Sequence, residues 1–288
     1  MIDLHMHSLY SDGDKTVQDI LKTSEGKKLK YISLTDHNTL DQYKDFALNQ
    51  HIFSGKMITG LEMDAYFQHK KIEILAYNIK DLNLINQWNE KFFSKERKNF
   101  LQEEVRKKLL LACNKTKLIY DKSVIYQEIP ENEYISVYIY KELLSHKENI
   151  PILGELADNL STFIRKGLLN PDSSFCVLSS DSEQPTYKEV INIIHQAGGL
   201  AFLAHPFEYR FENTIEFINA LRLENELDGI ECFHPSATLK QQKHLENYAK
   251  SNHLFISGGS DCHGDKTSDR PIGHLNIPQT YIENWVNL

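Results

Sequence analysis

The stretch MIDLHMHSLYSDG places His5 and His7 two residues apart, with Asp12 five residues further on. Along a β-strand successive side chains alternate faces, so residues two apart point the same way. Two imidazoles aimed at one point are what a divalent cation asks of its ligands. The same residue types recur down the chain. Asp36 and His37 stand in SLTDHN, Glu62 follows Gly60, and Glu73 lies in IEILAY. His205 closes LAFLAHP, His234 closes GIECFHP, and Asp261 and His263 sit in GGSDCHG. Each has a plainer role when taken singly. Asp12 in SDG suits a turn, Asp36 suits a helix cap, and Glu73 suits the solvent face of a half-buried hairpin. Taken together, they form a set of nitrogen and oxygen donors able to hold divalent cations and, through them, to activate water.

These donors need elements that bring them to one place. IDLHMH reads as a strand, and residues 16–28 as a helix with Thr16 as its N-cap. YISLTDHN is a second strand, followed by helical residues near 39–50. KMITGLEMDAYF and KKIEILAYNI read as a strand and its hairpin partner. Residues 84–112 show one long helical pattern with dense charge. The stretch up to 170 reads as helices and loops with few donor residues at telling spacings. After 176 the alternation resumes: helix PTYKEVINIIHQAGG, strand LAFLAHP, helix 213–225, strand DGIECFHP, helix 237–252 and strand LFISGGSDCHG. Gly198 and Gly199 form a natural helix stop. The expectation is an α/β fold in three segments, 1–80, a helical insertion or cap at 81–175, and 176–288. The donors fall at strand ends, and in barrel-like α/β folds the C-terminal strand ends share one active face. The insertion is expected to wall one side of the pocket.

A chain of 288 residues can bury a sizeable core. Its formal net charge of −8 argues against a protein built mainly for duplex DNA or another extended nucleic-acid duplex. A small phosphorylated substrate remains compatible, because a local metal cluster would neutralise its charge. There is no basic-then-apolar leader pattern and no apolar run of about 18 residues. Cys113, Cys176, Cys232 and Cys262 are scattered, which suits reduced thiols in a cytoplasmic protein. No membrane partner is expected, and the oligomeric state is not readable.

The motifs DLHMHSLYSDG, SLTDHNT, GLEMDA, GGLAFLAHP, GIECFHPSA, GGSDCHG and the closing SDRPIGH resemble the PHP (polymerase and histidinol phosphatase) family. These are metal-dependent phosphoesterases on a distorted (β/α)7 barrel. The layout is most similar to the branch containing nucleoside 3′,5′-bisphosphate phosphatases and short-oligonucleotide hydrolases. The resemblance implies two or three divalent ions, with Mn²⁺ expected ahead of Fe²⁺, Zn²⁺ or Mg²⁺. His5, His7, Glu62 and Asp261 would hold one ion. Glu62 would bridge to a second, completed by His205 and Glu73. Asp12, His37 and His263 would hold a third. His234 would lie near the phosphate, and Asp36 would orient a ligand. The family usually has histidine where this chain has Glu73. A carboxylate there is a harder ligand, favours Mn²⁺, Fe²⁺ or Mg²⁺ over Zn²⁺, and leaves the metal count open.

The chemistry so implied is hydrolysis of a small phosphomonoester by metal-activated hydroxide, with His263 or His234 as general acid. The substrate would be a nucleoside 3′,5′-bisphosphate or the end of a short RNA. Arg210 and Arg270 are candidate phosphate clamps, although a surface salt bridge would account for either alone. Histidinol-phosphate hydrolysis, an amidohydrolase site opened by HxH, and a metal-binding accessory domain with lapsed catalysis are the rival readings.

Overall fold

The computed structural model describes residues 1–68, 70–128, 134–170, 172–177, 184–267 and 269–288; Ser268 of the SDRPIGH segment lies outside them. Two compact units emerge, Met1–Phe92 with Gln184–Leu288, and Phe93–Glu183. The sequence reading cuts the chain at 80 and 175; the structure cuts it near 92 and 183. The difference at the first cut comes from helix α3 (Leu82–Phe93), which buries Ile85 and packs Leu82, Leu84 and Trp88 on the larger unit's core. The single helix expected over 84–112 is broken at Ser94. Its hydroxyl accepts the Arg97 amide and starts a new helix, α4 (Lys95–Lys115).

Among the described residues the larger unit contains eight strands in two sheets. One is parallel in the order β1 (Ile2–Asp3), β2 (Tyr31–Ile32), β3 (Lys56–Met57). The other runs β4 (Gly60–Phe67), β5 (Lys70–Tyr77), β6 (Leu200–Leu203), β7 (Gly229–Phe233), β8 (Phe255–Gly258). Its first two pairings are antiparallel and its last two parallel. The structure is therefore α/β, but among the described residues the paired strands do not close a (β/α)7 barrel. The β4–β5 hairpin interrupts the strand–helix repeat, and KMITGLEMDAYF splits between the two sheets. The sheets meet instead through single bridges, Met6 with Cys262 and His37 with Glu62. Both bridges lie where the donor residues gather.

Helix α1 (Val17–Gly26) starts at Thr16, whose hydroxyl accepts the Asp19 amide. It buries Val17, Ile20 and Leu21 against Met6, Ile32 and Leu34. Helix α2 (Gln42–Asn49) follows β2. The helix Tyr187–Gln196 has a reciprocal Thr186–Glu189 capping box and covers the large sheet with Val190, Ile191 and Ile194. Fully buried Trp285 donates to the Ile256 carbonyl and seals the end of β8. The smaller unit has its own core, around Leu109, Cys113, Ile139, Phe163 and Phe175. No described helix is long and apolar enough to cross a membrane.

Candidate metal centre

Only Ile2–Asp3 pair as strand, yet the chain continues along β8's extension. Leu4 donates to Gly258, Asp261 to His5 and His7 to Cys262. This ladder keeps the alternation that the HxH spacing requires, and the His5 and His7 rings sit 5.2 Å apart. Two glycines permit the close packing. A Cβ on Gly259 would come within 2.3 Å of His5 Cβ, and one on Gly13 within 2.5 Å of the His7 carbonyl. Buried Asp3 anchors the base by accepting the amides of Ser260 and Gly273, at 2.8 and 2.6 Å.

At the centre stands Glu62, 1 % exposed on β4. One of its oxygens, Oε2, lies 3.1 Å from His5 Nε2, 3.3 Å from His7 Nε2 and 3.4 Å from His37 Nδ1. The other, Oε1, lies 2.9 Å from His205 Nε2. Asp261 Oδ1 approaches His5 Nε2 at 3.5 Å and His7 Nε2 at 3.3 Å. Glu73 Oε2 is 3.4 Å from His205 Nε2. Asp12 reaches His263 Nε2 at 3.1 Å and is joined by His7 and His37 in one group of donors. His5, His7, His37 and His205 thus gather around the Glu62 carboxylate, with Asp261 and Asp12 against His7 and with Glu73 against His205.

The hydrogen bonds on the far side of each ring decide which nitrogen is free. His5 Nδ1–H donates to Glu231 at 2.9 Å, so Nε2 is the nitrogen turned to Glu62 and Asp261; it donates to Glu62 Oε2 at 3.1 Å and becomes available to a cation on losing that proton. Glu231 also accepts the His205 amide at 2.8 Å. His263 Nδ1–H donates to the Asp261 carbonyl, which frees Nε2 toward Asp12. His234 is the opposite case. Its Nδ1 accepts the Ser236 amide, so the ring proton resides on Nε2, 3.3 Å from Asp261 Oδ2. Asp36 does not contact a ring by hydrogen bond; it accepts from Ser8 N, Ser8 Oγ and Ser11 Oγ and so pins the loop that follows His7.

Electrostatics bind the cluster together. Burial works against a charged His7, but hydrogen bonds to Asp261 and Glu62 carry it up to about 10. His205 is likewise raised to about 9, its burial outweighed by Glu62. For Asp261, burial is overcome by the charge of His5 and by hydrogen bonds from His234 and His7, which hold the carboxyl far below its usual range. Glu62 is lowered in the same way, chiefly by His5 and His37. Without cations the carboxylates retain protons on the rings, so a cation entering here must expel them. Even so, the contacts of His7 Nε2, His37 Nδ1 and His234 Nε2 with carboxylate oxygens, at 3.3–3.4 Å, are poorly aligned, and none of these buried nitrogens has a well-formed hydrogen bond. Buried polar nitrogens without partners are costly. For His7 and His37 a coordinated cation would meet that need. His205 (φ +22°) and Asp261 (φ +52°) also adopt left-handed backbone, strain of a kind that accumulates at functional sites.

The two arginines differ. Arg270 pairs with Asp261 Oδ2 and, at 2.8 Å, with Glu208, at the edge of the cluster. Arg210 is exposed, and its guanidinium makes no hydrogen bond or ion pair with a described residue. Sequence reasoning missed Glu231, Asp3, Glu208, Lys71 and Asp64. Glu231 left a signal, a carboxylate in the middle of the otherwise apolar strand GIECF.

The PHP domain profile matches residues 3–254. A phosphoribosyl 1,2-cyclic phosphate 1,2-diphosphodiesterase of Eggerthella lenta is 24 % identical over 281 residues, covering 91 % of this chain and 94 % of the relative. A 5′-3′ exoribonuclease of Haemophilus influenzae is 23 % identical, covering 91 % and 89 %. A 3′,5′-nucleoside bisphosphate phosphatase of Chromobacterium violaceum is 23 % identical, covering 100 % and 96 %. Among solved structures, an amidohydrolase from Chromobacterium violaceum superposes with a TM-score of 0.68 at 20 % identity, covering 99 % of this chain and 95 % of that one. A protein from Bifidobacterium adolescentis assigned as a metal-dependent phosphoesterase gives 0.65 at 19 %, covering 98 % and 94 %. These two likenesses concern the fold.

Proposed function

The chain belongs to the PHP family of metal-dependent phosphoesterases, and on that premise we propose that it hydrolyses a small phosphomonoester, a nucleoside 3′,5′-bisphosphate or the terminal phosphate of a short oligonucleotide. The observation that carries the reading is Glu62, one buried carboxylate whose two oxygens meet four histidines at 2.9–3.4 Å. Such a carboxylate is suited to bridge neighbouring cations. His5, His7 and Asp261 would hold one ion with Glu62, His205 and Glu73 a second, and Asp12, His37 and His263 a third. The mixed imidazole and carboxylate donors suit Mn²⁺. Bound ions would lower the pKa of a water molecule and neutralise the phosphate oxygens.

The chain's own groups then divide the remaining work. His234 carries its proton on Nε2, facing the cluster, and would donate a hydrogen bond that steadies the charge on the leaving oxygen. His263, with Nδ1 committed to a carbonyl and Nε2 facing Asp12, would be a ligand and leaves the contact with the leaving oxygen to His234. The Arg270 fork, held beside Asp261, exchanges its bond to Glu208 for a phosphate oxygen. Arg210 has no part in this scheme. The complete donor set speaks against a lapsed accessory domain.

The test is phosphate release from adenosine 3′,5′-bisphosphate, AMP, a 5′-phosphorylated short RNA, histidinol phosphate and a ribose cyclic phosphate, with Mn²⁺ and with EDTA. Mn²⁺-dependent turnover that prefers the bisphosphate or the RNA end is the expected result, and it is abolished in His5→Ala. Preference for histidinol phosphate or the cyclic ester would overturn the substrate assignment and leave the phosphoesterase standing.

A further inference from the structure

The β4–β5 register sets Asp64 directly opposite Glu73. Two like charges at a cross-strand position repel one another. Between them lies Lys71, two residues before Glu73 on the same face of β5, its ammonium 3.0 Å from Asp64 Oδ1 and 3.0 Å from Glu73 Oε1. Glu73 is thus a shared carboxylate: Oε1 faces a fixed positive charge while Oε2 faces His205 at 3.4 Å. The strand position of Glu73 does not depend on Lys71. The Tyr209 hydroxyl accepts the Glu73 amide at 2.8 Å and donates to the Glu73 carbonyl at 3.3 Å, while its ring packs on His205. With the backbone already clamped, what Lys71 adds is mainly charge, and a positive charge on one oxygen weakens what the other can offer a cation.

We propose that Lys71 is a positioning residue that keeps the Glu73–His205 side of the centre weak for divalent cations, so that the protein alone holds fewer ions than its donor set could. This rests on the reading of the cluster as a metal centre. The cation at that side is then easily lost and regained, in contrast to the ion held by His5, His7 and Asp261.

The test is calorimetric titration of the full chain with Mn²⁺ alone, paired with metal content by mass spectrometry after desalting. The variants are Lys71→Gln, which keeps a donor between the carboxylates but removes the charge, and Lys71→Arg, which keeps the charge. Lys70→Met serves as control. It changes net charge equally, but its ammonium sits over the Phe211 ring, 4.3 Å from the centroid. Wild type is expected to show a tight class of sites and a weaker one. In Lys71→Gln the weaker class tightens by about tenfold or more and is retained on desalting, as removal of a nearby like charge requires. Lys71→Arg and Lys70→Met should resemble wild type. Unchanged or weaker binding in Lys71→Gln, or equal tightening in Lys70→Met, overturns the proposal while leaving the metal centre intact. Wild type that binds no Mn²⁺ overturns both. Should Lys71→Gln fail to fold, Lys71→Met is read by the same criteria.

Discussion

The two flanks of Glu62 are built differently. On the β1–β8 side, His5, His7 and Asp261 are under 7 % exposed, and a buried carboxylate, Glu231, locks the His5 tautomer. On the outer side, Asp12 has a side chain 55 % exposed, and Glu73 is shared with a lysine. The buried flank is preorganised, and its ligand atoms cannot turn to water. The open flank reaches solvent. The same donor types thus stand in two environments, one buried and fixed by a second carboxylate, the other exposed or shared with a lysine.

Chelation should erase this contrast and has the largest expected effect. Removing cations with EDTA should abolish phosphate release and lower the melting temperature, because ligands that bind only the folded state stabilise it by mass action, about 2.7 kcal/mol at a hundredfold excess over Kd. Re-addition of Mn²⁺ should restore both. A melting temperature unmoved by chelation would mean that the buried flank holds no ion.

Glu231→Gln probes the firm side. Loss of the carboxylate behind His5 should weaken Mn²⁺ binding by about 10–100-fold, the usual cost of removing a group that orients a metal-ligating histidine. Stability should also fall, since Glu231 is fully buried between His5 and the His205 amide. Titration and melting together check this; a variant with wild-type affinity would reduce Glu231 to a packing role. Asp12→Asn probes the open side and should be milder, lowering turnover by about tenfold while the melting temperature holds, because exposed charges contribute little to stability. Equal losses in the two variants would dissolve the distinction between the flanks.

His205, His234, Asp261 and His263 stood out in the sequence as polar residues closing apolar runs, and the HxH spacing reports a local geometry that survives even where strand pairing lapses. What did not show was long-range. Asp3 and Glu231 act on residues more than 200 positions away, and no local pattern marks Glu231 as the partner of His5 rather than a strand carboxylate in solvent. Lys71 was hidden for a similar reason, since its meaning depends on the hairpin register that sets Asp64 against Glu73. The closed barrel is not confirmed by the strand pairing of the described residues, and the reason is similar. Alternating apolar residues identify β4 and β5 as strands but say nothing of whether neighbouring sheets complete a ring. The α3–α4 break was readable in principle from Ser94, whose capping role was lost in a continuous charged pattern.

The smallest effect lies away from the metal centre and tests whether the rest of the sheet is independent of it. His195, at the end of the helix Tyr187–Gln196, donates from Nε2 to Asp228 at 2.7 Å, and Asp228 also accepts the Ala201 amide at the start of β6. The Asp228 hydrogen bond raises His195 above its ordinary value. A histidine raised in the folded state contributes stability that is fully present below its unfolded value, about 6.5, and fades as pH rises through the folded one. His195→Gln keeps a donor to Asp228 without the charge. The melting-temperature gap between wild type and His195→Gln should therefore be greatest in mild acid and close above neutrality. Its size should stay below about 1 kcal/mol, because the pair is partly solvent-screened. The gap should also be the same with and without Mn²⁺, since the helix end and the metal centre share no charged contact among the described residues. A gap that widens with rising pH would reverse the sign and break the assignment, and one that changes with Mn²⁺ would couple the outer helix to Glu62.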